Sequence, residues 1–279
     1  MRQVAQGRRQ LSARAAVTGS VDEGLLRRFA AQFAASVADG SELHEVPGFR
    51  VHLWPTADPY YRNVAVPIGR PPDWPQAISA MMGVFAARSR QATVEYFEQL
   101  RPDLAAPLEA AGFELDGWAE VMALRRSDFA PHRIRPHVRL LDGMTPLPLI
   151  TAFLRSAAAT FGDRAALLAP GELERFADGL ARGTIAAAVA LDGSEPIGGA
   201  SLIGRGPVAE LAGVWTHADC RRRGLALAIC VRLVEHFFAA GGEIAWLSTA
   251  DAASGALYRR VGFTPCGSQL NYIGPVVAA

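Results

Sequence analysis

The chain has 279 residues, half of them hydrophobic and a fifth charged, enough for two ordinary domains with buried cores. A formal net charge of +1 excludes a global field that would draw the molecule to nucleic acid or to a membrane surface. No apolar run has the length of a membrane span, and the best stretch, 224–240, is interrupted by Arg232 and Glu235.

All 28 basic residues are arginine, a compositional habit that lowers the weight of any single arginine. Cys220, Cys230 and Cys266 are odd in number and lack metal-ligand spacing. They read as reduced thiols of a cytoplasmic protein with no metal. The Arg-rich, acid-free N-terminus lacks the apolar stretch of a secretory signal and reads as a flexible basic arm over 1–19, in preference to a transit peptide.

In chain order, Ser20 with Glu23 forms a capping box that opens a helix closed by Gly40. Strands are expected at "FRVHLWP" and "YRNVAVPIG", then a helix over 73–89, a strand at "ATVEYF", a short helix at "PDLAAPLEAAGF" and a strand at "WAEVMALRR". The aperiodic, Pro-containing segment 127–137 reads as a linker.

The second half opens with a strand near "VRLL" and helices near 147–161 and 171–182. A meander of three strands follows, with turns expected at Gly193, Gly198–Gly199 and Gly204–Gly206. Then come a helix from 225, a strand at "EIAWLST", a helix at "AASGALYRRV" and a strand around "SQLNYIG". The fold class is α/β with a mixed, mainly antiparallel sheet flanked by helices. "EAAGF" ending at Phe113 and "RRVGF" ending at Phe263 echo one another 150 residues apart, which predicts a duplicated domain over 20–126 and 138–279.

Arg221-Arg-Arg-Gly224-Leu-Ala226 sits between a strand and a helix. A glycine turn at a helix start presents unpaired N–H groups beside the positive end of the dipole, a ready anion site. Arg222 and Arg223 add charge-assisted contacts, Gly224 allows close approach and Ala226 keeps the first turn slim. The sequence is neither a Walker loop nor a dinucleotide loop. The bland alternative is a solvated arginine run, although arginine at a helix start opposes the dipole.

Here the sequence resembles the GNAT superfamily of acetyl-CoA-dependent N-acetyltransferases. Arg221-x-x-Gly224-x-Ala226 matches the family's Arg/Gln-x-x-Gly-x-Gly/Ala motif, and Asp251-Ala-Ala-Ser-Gly-Ala-Leu-Tyr258-Arg-Arg-Val-Gly-Phe263 matches its Asn-x-x-Ala-x-x-Leu-Tyr-x-x-x-Gly-Phe pattern. The resemblance covers roughly 138–275, with Asp251 for Asn, Ser254 for Ala, Ala218 for Pro and Thr216 for an aliphatic residue as departures.

The resemblance implies two parallel strands that splay apart, with the pantetheine arm of acetyl-CoA on the backbone of Val214, Trp215 and Thr216 and its pyrophosphate on the amides of Arg222, Arg223, Gly224, Leu225 and Ala226. Arg221 and Asp251 complete the implied cofactor set. Tyr258 matches the family's acid; otherwise it is a packed helix tyrosine. Glu210 on the strand and His217 at its end are both candidates for the base. Glu210 could equally be a surface strand residue, and His217 a loop residue near the phosphates. Thr249 and Asp251 either orient substrate or cap the final helix.

The first half lacks this machinery: Leu108 falls where Tyr258 stands, and "RPPDWPQ" removes N–H donors. It resembles the degenerate half of a tandem GNAT protein, whose aromatic residues Trp54, Tyr60, Tyr61 and Trp74 either line an acceptor pocket or pack a core. Asp163, Glu172, Glu174 and Asp178 either attract a cationic amine or form solvated helix faces. The implied activity is transfer of acetyl to a primary amine of a small molecule, by a monomer or homodimer with no nucleic-acid or membrane partner; the alternative is a CoA-responsive binding protein without turnover.

Overall fold

The computed structural model describes residues 21–56, 62–130, 137–162 and 171–275. The chain divides into two compact units, residues 1–121 with 248–250 and 265–279, and residues 122–247 with 251–264. The expected basic arm, Tyr60, Tyr61, Asp163 and most of the expected linker fall outside the described residues.

The first unit begins with helix α1, Glu23–Ala38. Its cap is Asp22, whose Oδ1 accepts from the Leu25 amide at 3.0 Å, so the helix starts two residues beyond the expected Ser20 box. Leu25, Leu26, Phe29 and Phe33 form its buried stripe.

Strand β1, Glu42–Val46, pairs antiparallel with β2, Phe49–Leu53, through a turn at Gly48 with φ +78°. The sequence reading lacked β1. Its alternation is polar on both faces, and only the Pro47-Gly48 turn signalled it. Next come β3 (Val64–Pro67), α2 (Trp74–Ala86), β4 (Thr93–Phe97), α3 (Ala105–Ala110) and β5, Glu114–Arg125, whose last four residues lie in the second unit.

In the second unit, β6 (Arg139–Leu141), α4 (Leu147–Phe161) and α5 (Glu172–Arg182) lead into the meander β7 (Ile185–Asp192), β8 (Glu195–Ile203) and β9 (Val208–Thr216). Helix α6 (Leu225–Ala239), β10 (Ile244–Thr249), α7 (Ala252–Val261) and β11 (Thr264–Ile273) complete the chain.

The strands of this unit run in the order β10-β9-β8-β7-β6, antiparallel except for the β9–β10 pair. In the first unit the order is β1-β2-β3-β4-β11. The units differ from the sequence division at this last strand. β11 pairs antiparallel with β4 from Gln269↔Phe97 to Ile273↔Thr93, and so packs with the first half. Gly198 and Gly199 are not a turn, as expected, but lie inside β8. A Cβ at Gly199 would stand 2.4 Å from Phe153 and 3.0 Å from the Trp215 indole nitrogen, so close packing is what requires glycine there.

Period-2 alternation gives the second unit a core on each face of its sheet. Ala188, Ala190, Ala209 and Leu211 pack against α6 with Ile229, Leu233 and Val234. Ile185, Ala187, Val189 and Trp215 pack on the other face against Phe153 and Leu154 of α4 and Phe176 of α5. The first unit has its own core around Phe49, Trp74, Met81, Phe85 and Tyr272. Trp74 lies 5.6 Å from Phe49 and donates to Asp103 at 2.9 Å, and Trp54 is buried under Arg62. Both described tryptophans from the expected acceptor set therefore serve packing.

Candidate active site

Strands β9 and β10 are parallel only through Ile244↔Val208, Ala245↔Ala209 and Trp246↔Glu210. Beyond that pair β9 continues to Thr216 without β10, and the two strands form a fork. Between Gly199↔Trp215 and Ser201↔Ala212 the register shifts, because β9 uses one residue more than β8. The bulge holds Gly213 at φ +59°. An isolated glycine within a strand pattern was the available signal for it.

At the end of β9 the chain makes a short turn, Ala218–Cys220, and reaches the arginine loop. Arg222 has φ +62° and Gly224 φ +78°. Left-handed residues in such a turn aim successive amides toward one concavity, an anion nest. Gly224 is the N-cap of α6 and gives no side-chain capping bond, so the first-turn amides of Leu225, Ala226 and Leu227 lack side-chain acceptors. Residues 221–224 are exposed.

Arg221 donates from Nε to the Thr216 carbonyl at 3.3 Å, and Arg223 from a guanidinium nitrogen to the Asp219 carbonyl at 3.0 Å. Two of the three arginines therefore brace the loop through backbone oxygens. The positive end of the helix dipole lies here and no acidic residue occupies the first turn, the features of an anion site.

Glu210 stands at the base of the fork. Its strand neighbours Ala209 and Leu211 pack toward α6, so alternation puts Glu210 on the face of α4 and α5. The residue keeps partial exposure, but its carboxyl sits deep enough that loss of water raises its pKa to about 7.

His217 is held elsewhere. Its amide donates to the Ile197 carbonyl at 2.9 Å and its ring lies 5.4 Å from the Trp215 ring. Seven strand steps separate it from Glu210, roughly 20 Å. The two expected bases thus stand at opposite ends of the strand, with His217 beside the arginine loop.

Tyr258 lies on α7, 9% exposed, edge-on to Phe263 at 6.3 Å. Burial, with smaller influences from the Cys230 thiol and Asp251, holds its hydroxyl well above the ordinary value of 10.0. Cys230 is itself pushed up to about 12 by burial and is an inert thiol.

Asp251 caps α7, its Oδ2 accepting from the amide and hydroxyl of Ser254, each at 2.7 Å. These bonds hold its pKa low. Val214, Trp215 and Thr216 end β9 as expected, with the Trp215 side chain buried against Phe153 at 6.0 Å. Glu172 and Glu174 occupy the first turn of α5, where they complement its dipole.

A forked parallel pair, a bulged strand and a turn with two left-handed residues at a helix start thus meet in this unit. Residues 154–263 match the model of the acetyltransferase (GNAT) family.

The fold as a whole is similar to a GCN5-related N-acetyltransferase from Kribbella flavida, at 21% identity over 90% of this chain and 96% of that one, with a TM-score of 0.71. It is also similar to a putative GNAT acetyltransferase from Novosphingobium aromaticivorans, at 20% identity, 86% and 92% coverage and a TM-score of 0.56. A tandem GNAT protein from the clavulanic acid biosynthesis pathway aligns at 14% identity, 83% and 79% coverage and a TM-score of 0.58. Among curated proteins no sequence matches the chain. Among the described residues no helix is long and apolar enough to cross a membrane, and no group of His, Cys, Asp and Glu is arranged to hold a metal.

Proposed function

We propose that the chain is an N-acetyltransferase that moves acetyl from acetyl-CoA to a primary amine of a small molecule. The observation that carries the reading is the exposed turn Arg221–Gly224, with two left-handed residues at an uncapped helix start, standing at the end of a forked strand. Amides from Arg222 to Ala226 bind the diphosphate, with the Arg222 and Arg223 side chains adding charge. The backbone of Val214–Thr216, free of β10, pairs with the pantetheine amides.

Direct attack on a thioester requires a deprotonated amine and a protonated leaving sulfur. Glu210, with a pKa near 7, accepts a proton from the ammonium, directly or through water, on the face of α4 and α5. Tyr258 remains protonated at every working pH and donates to the departing thiolate. His217, at the loop end of β9, serves the phosphate side. The first half, 20–126, is a degenerate GNAT-like partner. Its α2 lacks an anion nest because Asp73 caps it and Pro75 stands in its first turn.

The test is release of free CoA thiol from acetyl-CoA by the full chain over a panel of amines. Amine-dependent release that Tyr258→Phe suppresses supports the reading. Acetyl-CoA binding without release in the presence of any amine points instead to a CoA-responsive binding protein.

A further inference from the structure

Beyond Trp246↔Glu210 the end of β9 parts from β10 and is held along one edge, by β8. Its last three residues, Val214, Trp215 and Thr216, lie past the bulge and meet β8 through the pairs Gly199↔Trp215 and Gly198↔Thr216. Both β8 partners are glycines, so no side chain of β8 grips this stretch.

A bulge needs an anchor, because its extra residue can be taken up at neighbouring steps of the ladder. In an antiparallel pair, successive residues alternate between exchanging both N–H···O=C bonds with the partner and turning those groups to the other edge. Moving the bulge one residue along β9 therefore changes which of residues 214–216 offer their N–H and C=O to the edge free of β10. Gly213 favours one position, since its φ of +59° suits glycine, but it has no side chain with which to hold the strand.

Trp215 has that side chain. It is 3% exposed and lies on the face of α4 and α5, with its ring 6.0 Å from Phe153, whose ring is 5.6 Å from Phe176. This aromatic row ties the end of β9 to both helices. Gly199 leaves the seat open: a Cβ there would stand 2.4 Å from Phe153 and 3.0 Å from the indole nitrogen. A slip of one residue would turn the indole to the opposite face, where Thr216 and Ile229 of α6 already stand within 3.4 Å of a Cβ at Gly198. The buried indole N–H has no hydrogen-bond partner among the described residues, so shape alone sets the seat.

We propose that Trp215 is a positioning residue. Seated over Gly199 against Phe153, its side chain fixes the bulge at Gly213 and so selects which backbone groups of 214–216 face the open edge of the fork. Its effect on acetyl-CoA rests on the reading of that edge as the pantetheine site, whereas its effect on register does not.

The test compares the full chain with Trp215→Ala, Trp215→Phe, Gly199→Ala and Leu154→Ala. Cross-strand NOEs in the free proteins read the register, Gly199 with Trp215 and Gly198 with Thr216 in the parent. Trp215→Ala should replace these by contacts one residue out of step and raise KM for acetyl-CoA by about tenfold, with kcat changed less than about threefold. Trp215→Phe keeps a ring in the seat and loses no hydrogen bond, so it should retain the parent NOEs and KM. Leu154→Ala removes bulk from the same core, and should melt lower while keeping both. Gly199→Ala crowds the seat with the tryptophan retained and should shift the same NOEs, which decides the matter if Trp215→Ala does not fold. Parent NOEs in Trp215→Ala or Gly199→Ala, or an equal rise of KM in Leu154→Ala, would overturn the proposal. A parent that binds no acetyl-CoA would remove the cofactor reading, and the NOEs would then decide the register claim alone.

Discussion

Glu210 and Trp246 are the last partners in the parallel ladder between β9 and β10. The carboxyl group is thus fixed where the fork begins, on the strand that leads to the arginine loop, with its pKa raised to about 7 by burial. A base must be unprotonated, so kcat/KM is expected to rise with pH and level off above about 7. Glu210→Gln should lose this limb and about a hundredfold in rate.

The same group has a stability signature. Its folded pKa exceeds the ordinary value of 4.5, so its contribution to stability is fully present below that value and lost as pH rises through about 7. Glu210→Gln should therefore melt higher than the parent at pH 8 by on the order of 2–3 kcal/mol, and equally at pH 4.5. Thermal denaturation across pH checks the sign.

Tyr258 should act only as a proton donor, because burial keeps its hydroxyl protonated beyond the ordinary 10.0. Tyr258→Phe is expected to lower kcat roughly 10²–10³-fold while changing KM for acetyl-CoA less than twofold. Its melting temperature should stay close to that of the parent, since the ring still meets Phe263. A steady-state comparison at saturating amine separates the two parameters.

Gly224 offers a controlled test of the loop. A Cβ there meets nothing within 4 Å, so Gly224→Ala costs about 1–2 kcal/mol of left-handed backbone strain and no clash. Gly162, at the end of α4, has φ +76° and equally open space. Both alanine variants should lose similar stability, but only Gly224→Ala should raise KM for acetyl-CoA, by about tenfold, as the amides lose their shared aim.

Asp251 joins the implied cofactor set by its place in a motif, yet its carboxylate is taken up by Ser254. Asp251→Ala should cost about 1 kcal/mol as a lost cap, with Asp251→Asn restoring most of it, and leave KM for acetyl-CoA within twofold. Urea denaturation and initial rates together decide between cap and cofactor contact.

What could be read from the sequence follows from how local the determinants were. The strand–loop–helix at 208–239 was legible because its glycine, its arginines and its apolar periodicity are all neighbours in sequence. The echo at 150 residues also corresponds to geometry. The Phe113 amide reaches back to the Leu108 carbonyl at 3.0 Å, and the Phe263 amide reaches back to the Tyr258 carbonyl at 3.0 Å, with Gly112 and Gly262 left-handed in between. Features decided by distant partners were not legible. β11 could only be assigned to the first unit by its pairing with β4, and Gly198–Gly199 looked like a turn until Phe153 and Trp215 closed over them. The depth of the Glu210 carboxyl was likewise hidden, since burial is set by chain distant in sequence.

The central claim is that main-chain amides from Arg222 to Ala226 hold the diphosphate of acetyl-CoA. Backbone amide NMR of the ¹⁵N-labelled full chain, titrated with acetyl-CoA and separately with acetyl-pantetheine, tests it most directly. The account predicts large downfield shifts of those five amides with acetyl-CoA and little movement with acetyl-pantetheine. Saturable binding of acetyl-CoA that leaves these five resonances in place would contradict it.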